Sequence, residues 1–166
     1  MSDVHNYSSW IAGNQAIAQA PHGFSESRFQ ASTVVFKMIA GREQWFQFSI
    51  PSPSVVDSHR IYLERVMILF RANLPAYIDR VDLWNGPELV FRTEVSFDGD
   101  ESHGLNDSTA GNGRPDGNVV NVQTQPWATW GVNASVHAVC AGTGLPPGPQ
   151  GELTFVAIGA DFGYRD

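Results

Sequence analysis

Ile61-Tyr62-Leu63-Glu64-Arg65-Val66-Met67-Ile68-Leu69-Phe70-Arg71 is the stretch whose reading decides the fold. Its residue types suit a helix by intrinsic propensity. At a period of 3.6, however, no apolar stripe separates from Glu64, Arg65 and Arg71. At a period of two, Tyr62, Glu64, Val66, Ile68 and Phe70 oppose Ile61, Leu63, Arg65, Met67 and Leu69, as on a pleated strand. The flanking segments repeat that period, so the stretch is read as a strand.

Working outward, Val34, Phe36 and Met38 share a face opposite Val35 and Lys37. Phe46, Phe48 and Ile50 alternate with Gln47 and Ser49 until Pro51 and Pro53 end the run. Leu89, Phe91, Thr93, Val95 and Phe97 oppose Val90, Arg92, Glu94 and Ser96. Trp130, Val132, Ala134, Val136 and Ala138 oppose Asn133, Ser135 and His137. Around 153–158 apolar residues fall on both faces, which predicts a strand covered on both sides. A further strand is expected within Trp10 to Gln19. Asn85-Gly86-Pro87 reads as a hairpin turn between Val81–Trp84 and Leu89–Phe97. The sum is eight or nine short strands with no convincing helix. It predicts an all-β, antiparallel β-sandwich of jelly-roll type, a single domain over 1–166. Nothing alternates strand and helix, which removes parallel nucleotide-binding classes, and neither a G-x-G-x-x-G nor a P-loop pattern occurs.

The 166 residues carry 10 Lys+Arg against 17 Asp+Glu, a formal charge of −7, with Lys37 the one lysine. Dispersed cations of this kind give no phosphate-tracking stripe, so no nucleic-acid partner is expected. No apolar run approaches the ~20 residues of a membrane helix. The N-terminal MSDVHNYSSW lacks a basic then apolar leader, which reads as a cytoplasmic location or a leader already removed. The single Cys140 excludes an internal disulfide and suits a small buried filler. His5, His22, His59, His103 and His137 show no metal-ligand spacing. Lying on the more polar face of its strand, His137 is expected at the surface or in a pocket.

Two long irregular segments, 98–118 and 141–151, interrupt the strands. The first holds five glycines, five acids and Arg114, hence −4 of the total charge. Asp98, Asp100, Asp107 and Asp116 are its candidate metal ligands, with calcium the cation that oxygen donors on a Gly-rich backbone suit. No other cofactor is expected. No G-x-S-x-G elbow occurs. Paired carboxylates for glycoside hydrolysis would have to come from residues such as Asp79, Asp82, Glu88, Glu94 and Asp161, each equally a solvent-facing strand or turn residue.

The most suggestive pattern is aromatic. Trp84, Trp127 and Trp130 stand at strand ends beside Asn85, Gln125 and Thr129. Flat rings next to amides and hydroxyls suit sugars, whose C–H faces stack while hydroxyls exchange hydrogen bonds. Trp84, Asn85, Trp127 and Trp130 are therefore the candidate ligand site. Trp45 and Trp130 also suit core positions, as large aromatics in sandwiches do.

Gln44-Trp45-Phe46-Gln47-Phe48-Ser49-Ile50-Pro51-Ser52-Pro53 resembles an N-W-F-H-x-x-I-P-T-P segment that recurs in a family of uncharacterised bacterial proteins. Arg80-Val81-Asp82-Leu83-Trp84-Asn85-Gly86 is similar to that family's V-x-V-Y-D-G turn. Trp130 to Val136 and Gly159 to Phe162 are similar to its C-terminal segments. Gln44 and Gln47 depart from the pattern, which has Asn and His there. The resemblance implies one all-β unit over about residues 9–162 and carries over no catalytic residues.

These readings converge on a non-enzymatic, lectin-like binding module whose partner is a carbohydrate or other small ligand met at an aromatic loop edge. Two alternatives stand beside it. One is a structural subunit that forms homo-oligomers through open sheet edges. The other is a small β-barrel cyclase or isomerase with an apolar cavity.

Overall fold

Segment 61–71 is a strand, and its outer neighbours are strands as well. A computed structural model describes residues 4–56, 58–143 and 150–165. In chain order these form β1 (Val4–Ala12), a single 3-10 turn (Gly13–Gln15), β2 (Ile17–Ala18), β3 (Phe24–Gln30), β4 (Thr33–Met38) and β5 (Arg42–Ile50). Then come β6 (Val55–Val56), β7 (His59–Arg60), β8 (Tyr62–Asn73), β9 (Ala76–Asn85) and β10 (Glu88–Phe97). The last are β11 (Gly99–Glu101), β12 (Val119–Asn121), β13 (Val132–Cys140) and β14 (Gly151–Arg165). Residues 144–149 of the expected 141–151 loop lie outside the described residues.

Every pairing is antiparallel. One sheet of five strands runs β10-β9-β13-β5-β2. The other has seven, with β8 and β14 at its centre. β14 is long enough to serve two neighbours on one side, meeting β4 through Gly151–Phe155 and β1 through Ala157–Arg165, while β8 lines its other side. β6 and β7 form a separate two-stranded ribbon.

Between the large sheets the space is filled. Phe155 of β14 lies 5.0 Å from both Phe46 and Phe48 of β5, ring centre to ring centre, and Phe36 sits 4.6 Å from Phe46. These rings and the aliphatic residues around them, Val34, Ile68, Val81 and Val136 among them, are buried from solvent. Cys140 is fully buried with them, as expected of a filler. The cyclase reading needs a hollow where this sandwich has packed rings.

Strict alternation fails at several bulges, and three of them show how side chains move between faces. Val156 is the extra residue of β14, so Leu153 and Phe155 enter the core before it, and Ile158, Ala160 and Phe162 after it. The "both faces covered" pattern at 153–158 is this switch of phase. Glu64 does the same in β8: Ile61 and Leu63 face the core before it, and Val66, Ile68 and Phe70 after it. In β10 the irregularity at Val90 puts Leu89 opposite Trp84 rather than on the core face with Phe91. β3, written Phe-Ser-Glu-Ser-Arg-Phe-Gln, escaped the periodicity because it is a polar, solvent-exposed sheet edge with no buried face to pattern.

Candidate functional site

Cross-strand register builds the outer face of the five-stranded sheet. In antiparallel pairs, residues directly opposite share a face. One row reads Leu89–Trp84–Asn133–Ser49, the next Arg92–Asp82–Ser135–Gln47, and the third Glu94–Arg80–His137–Trp45. The opposite parity, Val81, Leu83, Ala134, Val136, Phe46 and Phe48, goes to the core. A polar and aromatic surface is thus the obligatory reverse of an apolar one.

The middle row floors an open cleft of about 230 Å³ walled by Trp84 and Trp45. Asp82 is buried there, and Arg92 closes on it with two parallel hydrogen bonds, Nε to Oδ1 at 2.9 Å and Nη2 to Oδ2 at 2.7 Å. This fork geometry is the strong form of the ion pair. The hydrogen bond and the charge of Asp82 raise the Arg92 guanidinium above its ordinary value. Ser135 donates its hydroxyl to Gln47 Oε1 at 2.5 Å, and both residues line the cleft. The Arg80 guanidinium carbon lies over the Trp45 ring, 4.5 Å from its centroid. Trp45 also meets the His137 ring at 4.6 Å. By contrast, Trp84 is half-buried and has no ring or cation partner among the described residues.

At the lower end of the same face, His137 Nδ1 is 2.5 Å from Asp79 Oδ1, and its Nε2 is 3.6 Å from Glu43. Asp79 is free to reach across because β9 bulges at that position. His137 is on the polar face, as its strand parity predicted, and is buried there beneath its neighbours.

The four candidate ligand residues separate into different roles. Trp84 lines the cleft. Asn85 is a strap: its Nδ2 donates to the Trp127 carbonyl at 2.9 Å and its Oδ1 accepts from the Trp130 N–H at 2.8 Å. Each end of its amide holds a backbone group of the 127–130 loop, so Asn85 positions that loop. Trp127 faces away, under the Arg60 guanidinium at 4.7 Å and edge-on to Tyr62 of the other sheet. Trp130 is 74% exposed, so the core position it equally suited is wrong. It stands beside Gly86, whose φ of +57 opens the predicted hairpin turn; a Cβ there would come within 2.7 Å of the Trp130 side chain.

Trp45 is the residue the aromatic pattern missed. It too was read as core, yet it shares parity with Gln47 and Ser49, and Phe46, Phe48 and Ile50 had already claimed the inner face. Counting by twos from Phe46 finds it. Of the carboxylates considered for glycoside hydrolysis, Asp82 and Asp161 are buried on different sheets. Asp161 is taken by Arg65 and Ser8, at 2.5 and 2.6 Å.

The acidic segment holds its carboxylates apart. Asp100 accepts from the Ser102 hydroxyl and backbone N–H and pairs with Arg71 at 3.3 Å. Asp107 accepts from Asn121 at 2.8 Å, and Asp116 from Ser108 at 2.6 Å. Asp98 borders a different cleft, with Leu74 and Tyr77. Among the described residues no three metal-ligating side chains converge, and Asp98, Asp100, Asp107 and Asp116 form no calcium cage. The segment is organised instead by Asn118, fully buried. Its Oδ1 accepts from the Asn106 N–H at 2.7 Å, and its Nδ2 donates to the Gly104 and Glu101 carbonyls at 2.7 and 3.1 Å.

No family model matches the chain, and no curated protein sequence matches it. Solved structures do resemble it. PfGH50B shares 9% identity at a TM-score of 0.52, over 97% of this chain and 23% of that one. This chain therefore spans about a quarter of that protein. A variant of a family 29 carbohydrate-binding module shares 10% identity at a TM-score of 0.42, over 95% of this chain and 86% of that one. TmCBM61, solved with β-1,4-galactotriose, shares 11% at 0.40, over 98% and 88%. At these identities the likeness is one of fold, an all-β sandwich. Among the described residues no helix is long and apolar enough to cross a membrane.

Proposed function

We propose that the protein binds carbohydrate on the outer face of the five-stranded sheet, with Trp84 as the stacking plate of the cleft. The observation that carries this reading is the half-buried Trp84 ring, with no ring or cation partner among the described residues, lining one cleft with Gln47 and Ser135. A ring with one free face beside fixed hydrogen-bonding groups suits the apolar face and equatorial hydroxyls of a pyranose. At about 230 Å³ the cleft is smaller than the ~300–1,000 Å³ typical of sites that engulf a ligand, so it takes one sugar residue while the rest of a chain lies along the strands. Trp130, open beside Gly86, extends the apolar surface at the hairpin end. Trp127 and Asn85 support that rim without touching the sugar.

The test is a titration with neutral galacto-, xylo- and cello-oligosaccharides, followed by tryptophan emission and calorimetry. Binding of at least one of them, lost in Trp84→Ala and kept in Trp127→Ala, is the expected result. Silence across the panel, or equal binding by Trp84→Ala, overturns the reading.

A further inference from the structure

The cleft presents positive charge in a chain whose net charge is −7. Its one carboxylate, Asp82, has a side chain only 4% exposed, whereas the guanidinium groups beside it, Arg80 and Arg92, are 37% and 52% exposed. A ligand in the cleft therefore meets two cations and almost none of the anion between them. Arg92 spends two N–H groups on Asp82 and keeps three. Arg80 spends none on it: its buried Nε has no hydrogen-bond partner and stands 3.6 Å from Asp82 Oδ1, too far to bond. The Nε itself is covered, so a ligand would meet Arg80 through the exposed part of its side chain. Glu94, opposite Arg80 in the register, is turned to Arg114, and Asp79 and Glu43 are turned to His137. The other polar groups of the cleft, Gln19, Gln47 and Ser135, are neutral.

We infer that the cleft selects an anionic saccharide, with Arg80 and Arg92 holding a carboxylate or sulfate group of the sugar seated against Trp84. This inference rests on the carbohydrate reading of the same face and names the class of sugar it takes. The planar guanidinium fork matches both oxyanions. The contact with Trp45 restrains the Arg80 side chain, so less of its freedom is lost when the anion arrives.

Two matched pairs separate the sources of the anion: oligogalacturonate against its methyl ester, and dextran sulfate against dextran. Wild type is expected to bind the charged member of one pair at least about tenfold more tightly than its neutral counterpart, with an affinity that falls as salt rises. The pair that shows the preference identifies carboxylate or sulfate. Arg80→Gln should erase the preference, bringing the charged member of the pair down to the affinity of its neutral counterpart, and Arg80→Lys should restore part of it. Equal affinities within both pairs, no binding to any of the four, or a preference that survives Arg80→Gln overturns the inference. Loss of neutral-sugar binding in Trp84→Ala would still stand alone in those cases, so failure here is distinct from failure of the carbohydrate reading. Thermal unfolding of each variant against wild type guards against misfolding.

Discussion

The two sheets turn comparable cross-strand rows outward, and those rows have opposite chemistry. On the seven-stranded sheet a cleft of about 400 Å³ is the roomier of the two, and it contains Arg28 and Arg71. There, however, every cation is answered. Arg28 pairs with Glu152 at 3.2 Å and Glu26 at 3.5 Å, Lys37 with Glu26 at 2.8 Å, and Arg71 with Asp100 at 3.3 Å. Among the described residues no Phe, Tyr or Trp lines it. On the five-stranded sheet the cleft is smaller, yet it holds an unpartnered indole and an arginine with an unspent donor. The carbohydrate reading therefore follows unmet bonding capacity rather than volume. A face whose charges have closed on one another contributes to the fold and has little left for a ligand.

The largest effect should come from removing what both faces share. Phe155 joins the sheets through Phe46 and Phe48, so Phe155→Ala should cost about 3–5 kcal/mol of stability and degrade both outer faces together. Urea unfolding with an unchanged slope checks this; a loss under about 1 kcal/mol would mean that the sheets do not depend on this ring. Next is Asn118, which belongs to the seven-stranded side alone. Asn118→Ala leaves a buried N–H and two carbonyls without partners and should cost about 2–4 kcal/mol, with saccharide binding on the opposite face unchanged. If binding falls in proportion to stability, the two faces are not independent. Trp84→Ala should do the reverse: affinity down about tenfold or more, stability altered by about 1 kcal/mol or less. Arg71→Gln, the matched change on the roomier cleft, should leave affinity within about twofold, and a larger loss would move the site to the other sheet.

How much of this was legible in the residues depends on whether a phase persists. Val34, Phe36 and Met38 keep one period from end to end, so their strand and its buried face can be read directly. Glu64, Val90 and Val156 break the period by one residue each, and no local feature of the sequence marks them; bulges come from how two strands pair, which a single strand does not contain. Trp84 was visible because it precedes Asn85-Gly86, whereas Trp45 was hidden by the company of Phe46 and Phe48, although its parity with Gln47 was there to count. Asn85 looked like a ligand group for the reason that makes it a good strap: one amide can satisfy a donor and an acceptor at once. The carboxylates of 98–118 looked like a cation site because a sequence shows the acids but not the serine and asparagine donors that meet them.

The smallest expected effect is a difference between the faces in acid. On the seven-stranded side the Ser102 hydroxyl, then its backbone N–H and the nearby Arg71, hold Asp100 below its ordinary value of 3.8. The Lys37 hydrogen bond and charge, with Arg28, hold Glu26 below 4.5. A carboxylate lowered in the folded chain contributes stability that is complete above its unfolded value and is lost as pH falls through its folded value. That contribution should therefore fade from about pH 4.5 downward for Glu26 and from about pH 3.8 downward for Asp100. On the five-stranded side the shifted group is Arg92, raised by Asp82. The guanidinium's own titration lies in strong alkali, far from the acid range. Melting temperatures of wild type, Asp100→Asn and Glu26→Gln between about pH 6 and pH 3 test this. Both variants should start below wild type and converge with it as the pH drops, because each lacks a stabilisation that wild type is itself losing. Since both carboxylates are open to solvent, moderate salt should shrink the starting gap. Curves that stay parallel down to the lowest pH would show that these pairs contribute nothing to folding, and that the closed charge lattice of the seven-stranded face is only a surface arrangement.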